Sequence, residues 1–283
     1  VPARRMQIKF YGVRGSISVS GDKYIEFGGN TTCIQIMAPE TRRIGVIDAG
    51  TGIRQLGSDF LAMDTDQKDI FLAFTHFHWD HIQGLPFFAP AYNPEMTINI
   101  LAKGGSEKVS RLRDIFAVQM QEIYFPVALG DMGAHFNFLL MENSTQTLVP
   151  PDDVPVVLTA VRHSHPGGAY SYRYERAGKS FVFCTDIEHG ETIDQNIVEL
   201  AQGADLLIHD GQYSSAELPS KRGWGHSSYE QALEVAMRAN VKQLVVTHHD
   251  PDHDDDFLRA AERSCRDVFP ETTFAREGMV VST

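Results

Sequence analysis

Little in this 283-residue chain suggests a disulfide scaffold, a membrane span or a nucleic-acid clamp. Its three cysteines, Cys33, Cys184 and Cys265, are far apart and form no C-x-x-C pair. Such a pattern provides neither a disulfide framework nor zinc-finger spacing. Each lies among apolar neighbours and reads as a small buried hydrophobe. The longest uninterrupted apolar run is Ile70–Phe74, far short of the ~20 residues that span a bilayer. Positive charge is scarce too: 25 Lys and Arg face 37 Asp and Glu, a formal net charge of −12. That balance argues against broad electrostatic binding to nucleic acid. The opening VPARRMQIKF has no apolar leader stretch. No low-complexity segment, flexible linker or strong repeat divides the chain. The expectation is therefore one globular domain over 1–283 in a reducing cytoplasm, with no membrane partner.

Apolar periodicity gives an α/β pattern. Short runs such as Met6–Gly12, Cys33–Ala38, Ile44–Asp48 and Ile70–Thr75 read as strands. A second series follows at Val156–Val161, Tyr170–Tyr174, Phe181–Thr185 and Asp205–Ile208. Helical spacing marks Ile53–Leu61, Val109–Phe116 and Ile193–Ala201. Tyr229, Ala232, Leu233, Ala236 and Met237 mark a later helix, with Ser227-x-x-Glu230 as a capping box at its start. Strand-rich blocks, each followed by helices, imply two packed sheets with helices outside.

Histidine is the residue in excess: there are twelve. The decisive segment is FTHFHWDHIQG, residues 74–84, in which His76, His78, Asp80 and His81 follow an apolar strand. If the strand continued, positions 76, 78 and 80 would share a face. A turn near Trp79 would instead send Asp80 and His81 to a second centre. Imidazole with carboxylate suits zinc, manganese or iron. The bland alternative is a solvated histidine-rich turn, but four ligand-type residues in six positions behind a buried strand argue against it.

These residues resemble the His-x-His-x-Asp-His hallmark of the metallo-β-lactamase-fold hydrolases, and the likeness extends over essentially the whole chain. Asp48 in VIDAGTG matches the family's early Asp-x-Gly turn. By the same resemblance His76, His78 and His165 would hold one ion and Asp80, His81 and His248 another, with Asp186 shared. The implied fold is an αββα sandwich of two mixed sheets flanked by helices, and the implied cofactors are two divalent ions, zinc first, with manganese or iron as alternatives. A pair of ions can hold a hydroxide between them and neutralise an attacked phosphodiester, and Asp80 is placed to accept a hydrogen bond from that hydroxide. LLIHDGQY and GHSS further resemble segments of tRNA 3′-processing endonucleases. In that comparison His226 donates a proton to the leaving oxygen and Asp210 replaces the Glu that orients it. The capping box would set helix amides beside His226 for an anionic group. A helix-entry histidine making an ordinary turn contact is the plain alternative.

The glycine-bearing openings FYGVRGSISVSG and FGGNTTC resemble a branch of small-substrate phosphodiesterases. Arg14, Asn30 and Thr31 are candidate phosphate contacts there, although hairpin turns explain the glycines equally well. His189 either supports the site or faces substrate, and His135 lines a pocket or lies on a surface loop. His163 should alternate away from the site, and His209 reads as a satisfied strand-end residue. His249 and His253 fall in an acidic HHDPDHDDD turn, read as an exposed helix start, with a third metal as the alternative.

Three functions follow. The first is a dinuclear phosphodiesterase acting on a small cyclic nucleotide, a 3′,5′-cyclic nucleotide in first place. The second is a tRNA 3′-processing endonuclease, which needs a basic arm to grip RNA. The third is a non-catalytic metal- or ligand-binding module of a larger regulator, with which a chain lacking an initiator methionine is compatible. A redox role is disfavoured, because the family's diiron oxidoreductases usually carry Glu where His78 stands. The segment 104–150 is read as a lid insertion: it has three basic residues (Lys108, Arg111, Arg113) against five acidic ones (Glu107, Asp114, Glu122, Asp131, Glu142). Its aromatics, Tyr124 and Phe125 among them, would cover a base or sugar. This favours the small substrate over nucleic acid; a homodimer is compatible with the resemblance.

Overall fold

Strict two-residue alternation sorts the strands into layers. In β10 (Lys179–Cys184), Phe181 and Phe183 face one side, while Val182 and Cys184 face the other. β11 (Leu206–Asp210) repeats this, with Leu206 and Ile208 opposite Leu207. The same rule operates in β1 (Gln7–Gly12), where Ile8 and Phe10 turn inward to meet those phenylalanines. Such alternation is what a sheet buried on both faces requires. The computed structural model describes residues 5–39, 43–104, 109–148 and 154–283.

Two seven-stranded mixed sheets result. The first contains β1, β2 (Cys33–Ala38), β3 (Arg43–Ile47), β4 (Asp69–Phe74), β5 (Thr97–Lys103), β6 (His135–Met141) and, at the β1 edge, β14 (Val280–Ser282). The second runs β13 (Thr272–Phe274), β12 (Leu244–Thr247), β11, β10, β9 (Ala169–Arg176), β8 (Val156–His163), β7 (Thr145–Leu148). Strands β3 to β6 are mutually parallel, as are β10 to β13. Helices α1 (Ile53–Ala62) and α3 (Val109–Gln119) cover the outside of the first sheet; α4 (Gln195–Ala201), α5 (Tyr229–Arg238) and α6 (Asp255–Val268) cover the second. This is the αββα metallo-β-lactamase sandwich expected.

The segment 104–150 is not an added lid. Leu112, Phe116 and Met120 are core residues, β6 pairs with β5 along its whole length, and β7 belongs to the second sheet. Its aromatics mostly pack inward, as with Phe116 on Phe74 and Phe138. Glu107 and Lys108, and the stretches 105–108 and 149–150, lie outside the described residues. Helix α5 also starts one residue later than the sequence pattern implies: its capping box is Ser228 with Gln231, not Ser227 with Glu230. All three cysteines are buried and free, as expected. Among the described residues no helix is long and apolar enough to cross a membrane.

Candidate metal centre

The ends of the strands meet at one edge between the sheets, where open α/β sheets place their ligands. β4 ends at Phe74, the chain bends at Thr75, and His78 is extended before α2 (Trp79–Ile82) begins. This break separates His76 and His78 from Asp80 and His81, so of the two geometries left open by the sequence the turn at Trp79 is the one adopted. Asp48 holds the break in place. Its carboxylate accepts hydrogen bonds from the Thr75 amide at 2.9 Å and the Thr75 hydroxyl at 2.8 Å, and it lies 2.8 Å from His81 Nδ1. A carboxylate on Nδ1 fixes the imidazole so that Nε2 presents its lone pair.

Two groups of side chains follow. The ligand atoms of His76, His78 and His165 all lie within 4.8 Å of one another, and so do those of Asp80, His81, Asp186 and His248. Asp186 stands between the groups. Its Oδ1 is 3.7 Å from His76 Nε2 and 3.8 Å from His165 Nε2, while Oδ2 is 3.1 Å from His81 Nε2 and 3.3 Å from His248 Nε2. Buried nitrogens normally find a partner, yet Nε2 of His76, His81 and His248 make no hydrogen bond. They stand 3.1–3.7 Å from the Asp186 oxygens without bonding them, a spacing that divalent ions between nitrogen and carboxylate would satisfy. The donor set of five imidazoles and two carboxylates fits zinc, manganese or iron.

The backbone is strained at the same place. Among the described residues, the non-glycine positions with positive φ include Ser16 (63°), Asp48 (60°), Asp186 (58°) and His248 (64°). Side chains held in the left-handed region persist only where the surroundings over-determine them, as functional sites do. Gly225 (φ 89°) is needed for a different reason: a Cβ there would overlap the His165 ring, whose Nδ1 lies 2.8 Å from the Gly225 carbonyl.

Electrostatics show the same convergence. Burial favours the neutral form of His81, but the carboxylates of Asp186, Asp80 and Asp48 hold its pKa well above the ordinary value. Burial likewise opposes, and Asp186 with Asp80 outweighs, so that His248 rises to about 9. His76 goes the other way, lowered by burial and by the neighbouring His81. Asp80 and Asp186 resist the upward push of burial because imidazoles surround them, and both are lowered.

His226 sits against this centre but is tied elsewhere. Its Nδ1, 4.0 Å from Asp186, is 3.0 Å from Asp210 Oδ2. Asp210 in turn accepts hydrogen bonds from the amides of Asp186, Gln212 and Ser227 at 2.9, 3.1 and 3.1 Å. The Ser227 amide is thus spent on Asp210 and is not free for a substrate anion, contrary to the expectation from the capping box.

The substrate contacts inferred from the openings are corrected. Arg14 is fully buried and donates through Nε and Nη1 to the carbonyls of Gly28, Asp250 and His253, while its Nη2 has no partner. Asn30 is bound to Glu277, and Thr31 exchanges hydrogen bonds with Thr51. These three hold loops together; the site's debt to that region is the Ser16 amide, which donates to Asp80 at 2.8 Å. His189 is buried against His209, their Nε2 atoms 3.2 Å apart, so it supports the site and does not face solvent. His249 and His253 are also buried, not exposed: His249 lies between the rings of Phe27 and Phe274, and His253 pairs with Glu217. They do not join either cluster. His163 bonds the Asp186 carbonyl and Ser171, His209 bonds the Asp210 carbonyl, and His135 is exposed. Sequence reasoning missed Gln212, whose Oε1 is 3.0 Å from His248 Nδ1 and orients that ring. It also missed Glu188, which ties down the amides of Gly223 and Gly225. Neither glutamine nor a lone glutamate carries a spacing signal.

The profile of the Beta-lactamase superfamily domain matches residues 42–249. The chain belongs to that superfamily and is a metal-dependent hydrolase. It is 25% identical to the Ribonuclease Z of Synechococcus sp. (strain CC9311), covering 96% of this chain and 97% of that one. The Ribonuclease Z of Prochlorococcus marinus (strain MIT 9313) is 23% identical, with 96% of each chain covered. Among solved structures the fold is shared with the metallo-beta-lactamase fold protein YhfI from Bacillus subtilis (TM-score 0.72, 18% identity, 99% of this chain and 100% of that chain). It is shared too with a diphosphatase from the PhnP family (TM-score 0.68, 17% identity, 99% and 97% covered) and the short form of human tRNase Z (TM-score 0.65, 19% identity, 97% and 98% covered).

Proposed function

We infer that the chain is a dinuclear phosphodiesterase of the Ribonuclease Z kind, cutting an RNA phosphodiester near a 3′ end. The observation that carries the chemistry is the set of orphaned Nε2 atoms on His76, His81 and His248 around the two-faced carboxylate of Asp186. Two bound divalent ions would supply hydroxide near neutral pH and offset the charge of the attacked phosphate. In this reading His76, His78 and His165 would hold one ion and Asp80, His81 and His248 the other, with Asp186 available to both. Asp80, steadied by the Ser16 amide, accepts a hydrogen bond from the attacking water and aims it. His226 gives a proton to the departing sugar oxygen from Nε2, while Asp210 holds Nδ1 and orients the ring. Because amides fix Asp210, the ring stays aimed between turnovers.

The curated relatives support an RNA substrate and so reverse the order in which the two substrates stood on sequence grounds. One observation keeps the small cyclic nucleotide as a second reading. The alignment to the Synechococcus relative runs over 327 positions, more than the 283 residues of this chain, so that relative carries segments absent here. A net charge of −12 gives this chain little electrostatic grip on RNA. The regulator reading loses its basis, since no ligand and no proton donor is missing. The test is turnover by zinc, manganese and iron forms on a precursor tRNA and on 3′,5′- and 2′,3′-cyclic nucleotides. Preferential cleavage of the precursor is the expected result; a hundred-fold preference for a cyclic nucleotide would transfer the assignment to the second reading.

A further inference from the structure

The chain has two tryptophans, Trp79 and Trp224, and both are exposed, at 63% and 58%. Tryptophan is normally well buried, so two open indoles need a reason. Their positions supply one. Trp79 follows His78 directly, and Trp224 precedes Gly225, whose carbonyl is 2.8 Å from His165 Nδ1. His165 Nε2 is in turn 3.0 Å from His78 Nδ1. Each indole thus belongs to a residue next in sequence to a part of the His78–His165 pair or its support, and His78 is itself exposed.

The Trp224 side is built and charged. Glu188 accepts from the Gly223 and Gly225 amides at 2.8–2.9 Å, and the Trp224 amide donates to the Lys221 carbonyl at 3.1 Å, so the loop is held. Lys221 Nζ stands 4.4 Å from the centre of the Trp224 ring and 5.4 Å from that of Tyr213. Arg222 adjoins it and is exposed. Two cations thus stand beside an indole in a loop whose Gly223 and Gly225 amides are held by the Glu188 carboxylate. Aromatic faces with adjacent cations are how proteins hold unpaired nucleobases, the ring stacking on the base and the cation meeting the phosphate.

We propose that Trp79 and Trp224 are stacking platforms for nucleobases on the two sides of the scissile phosphate, with Lys221 and Arg222 on the neighbouring phosphate. This rests on the phosphodiesterase reading and deepens it: the ligand class is an unpaired nucleotide. An RNA end presents bases to both platforms, whereas a cyclic mononucleotide occupies only one.

The two indoles are the only tryptophan fluorophores, so binding can be read without turnover. Metal-loaded full chain is titrated with adenosine 5′-monophosphate and, as a base-free control, ribose 5-phosphate. The nucleotide should quench the emission and the sugar phosphate should not. Trp79→Leu and Trp224→Leu should each raise KM about ten-fold on adenylyl-adenosine, with kcat within two-fold of wild type. Trp→Phe at either position should restore most of the loss, which a merely structural role would not require. On 3′,5′-cyclic AMP only one of the two should matter, and this contrast tells the RNA source from the mononucleotide source. Unquenched emission with unchanged KM in both Leu variants overturns the platforms; normal wild-type turnover alongside would leave the phosphodiesterase standing. Quenching by the nucleotide in a protein that cleaves no phosphodiester supports base binding while defeating the proposed function.

Discussion

Seven of the buried histidines fall into two regions of contrasting chemistry. In the candidate centre, His76, His81 and His248 are buried with an Nε2 that bonds nothing, although carboxylate oxygens stand nearby. In the layer behind it, His163, His189, His209 and His253 are equally buried but spend their nitrogens on the protein: the Asp186 carbonyl, each other, the Asp210 carbonyl and Glu217. Residue type and burial are the same; only the accounting of lone pairs differs. An unpaired buried nitrogen costs free energy unless a ligand takes it, so the first region is arranged for ions and the second for holding that arrangement still.

The comparison breaks most easily at Asp186. Asp186→Ala should remove the shared carboxylate, release both ions and lower turnover by roughly 10³-fold, about 4 kcal/mol of transition-state stabilisation. Metal analysis alongside rate measurement checks this; both ions retained with normal turnover would refute the bridge. Next comes His226, which belongs to neither region. His226→Ala should keep both ions yet slow a natural sugar-phosphate ester by about 10²–10⁴-fold. The loss should shrink on an aryl phosphodiester, whose phenolate leaves unaided, when chemistry limits both rates. Equal losses would mean that His226 stabilises phosphate charge instead.

A third change sharpens the contrast from the structural side. Arg14→Met removes a buried guanidinium bound to three carbonyls and should cost roughly 3 kcal/mol of stability by denaturant titration. Metal content and KM should stay within two-fold of wild type; a large KM increase would return Arg14 to the substrate. The smallest effect concerns acid. Burial, with His209 beside it, lowers His189 to about 3, and burial lowers His163 to about 4. Unfolded histidine titrates near 6.5, so below that pH the unfolded chain binds more protons and folding stability falls on acidification. Each such histidine contributes up to about 1.4 kcal/mol per pH unit until its folded pKa is reached. His189→Phe should flatten the curve between pH 6.5 and about 3 in metal-stripped protein; an unchanged slope would contradict the pairing.

The sandwich and four of the seven candidate ligands were legible locally, whereas His165, Asp186 and His248 came only from the family resemblance. Alternating apolar residues, as in Phe181–Val182–Phe183, define faces, and His-x-His-x-Asp-His packs four donors into six positions. What was not legible depends on distant partners. Arg14 looked like a phosphate contact because nothing nearby reveals that Asp250 and His253 carbonyls await it. His253 looked exposed amid aspartates, but Glu217 and the Phe257 ring enclose it. The aromatics of 104–150 suggested a lid, since composition cannot tell a cover from an edge strand with its helix. The Lys221–Trp224 loop went unread, because its meaning comes from Glu188 and His165, which are remote in sequence.

The most direct test of the central claim is the number of ions that full activity requires. Metal-stripped protein is titrated with zinc or manganese while phosphodiester turnover and bound metal are followed together. The orphaned nitrogens on both faces of Asp186 call for activity that rises to its plateau at two equivalents per chain. A plateau at one equivalent, or full turnover with none, would contradict the dinuclear centre.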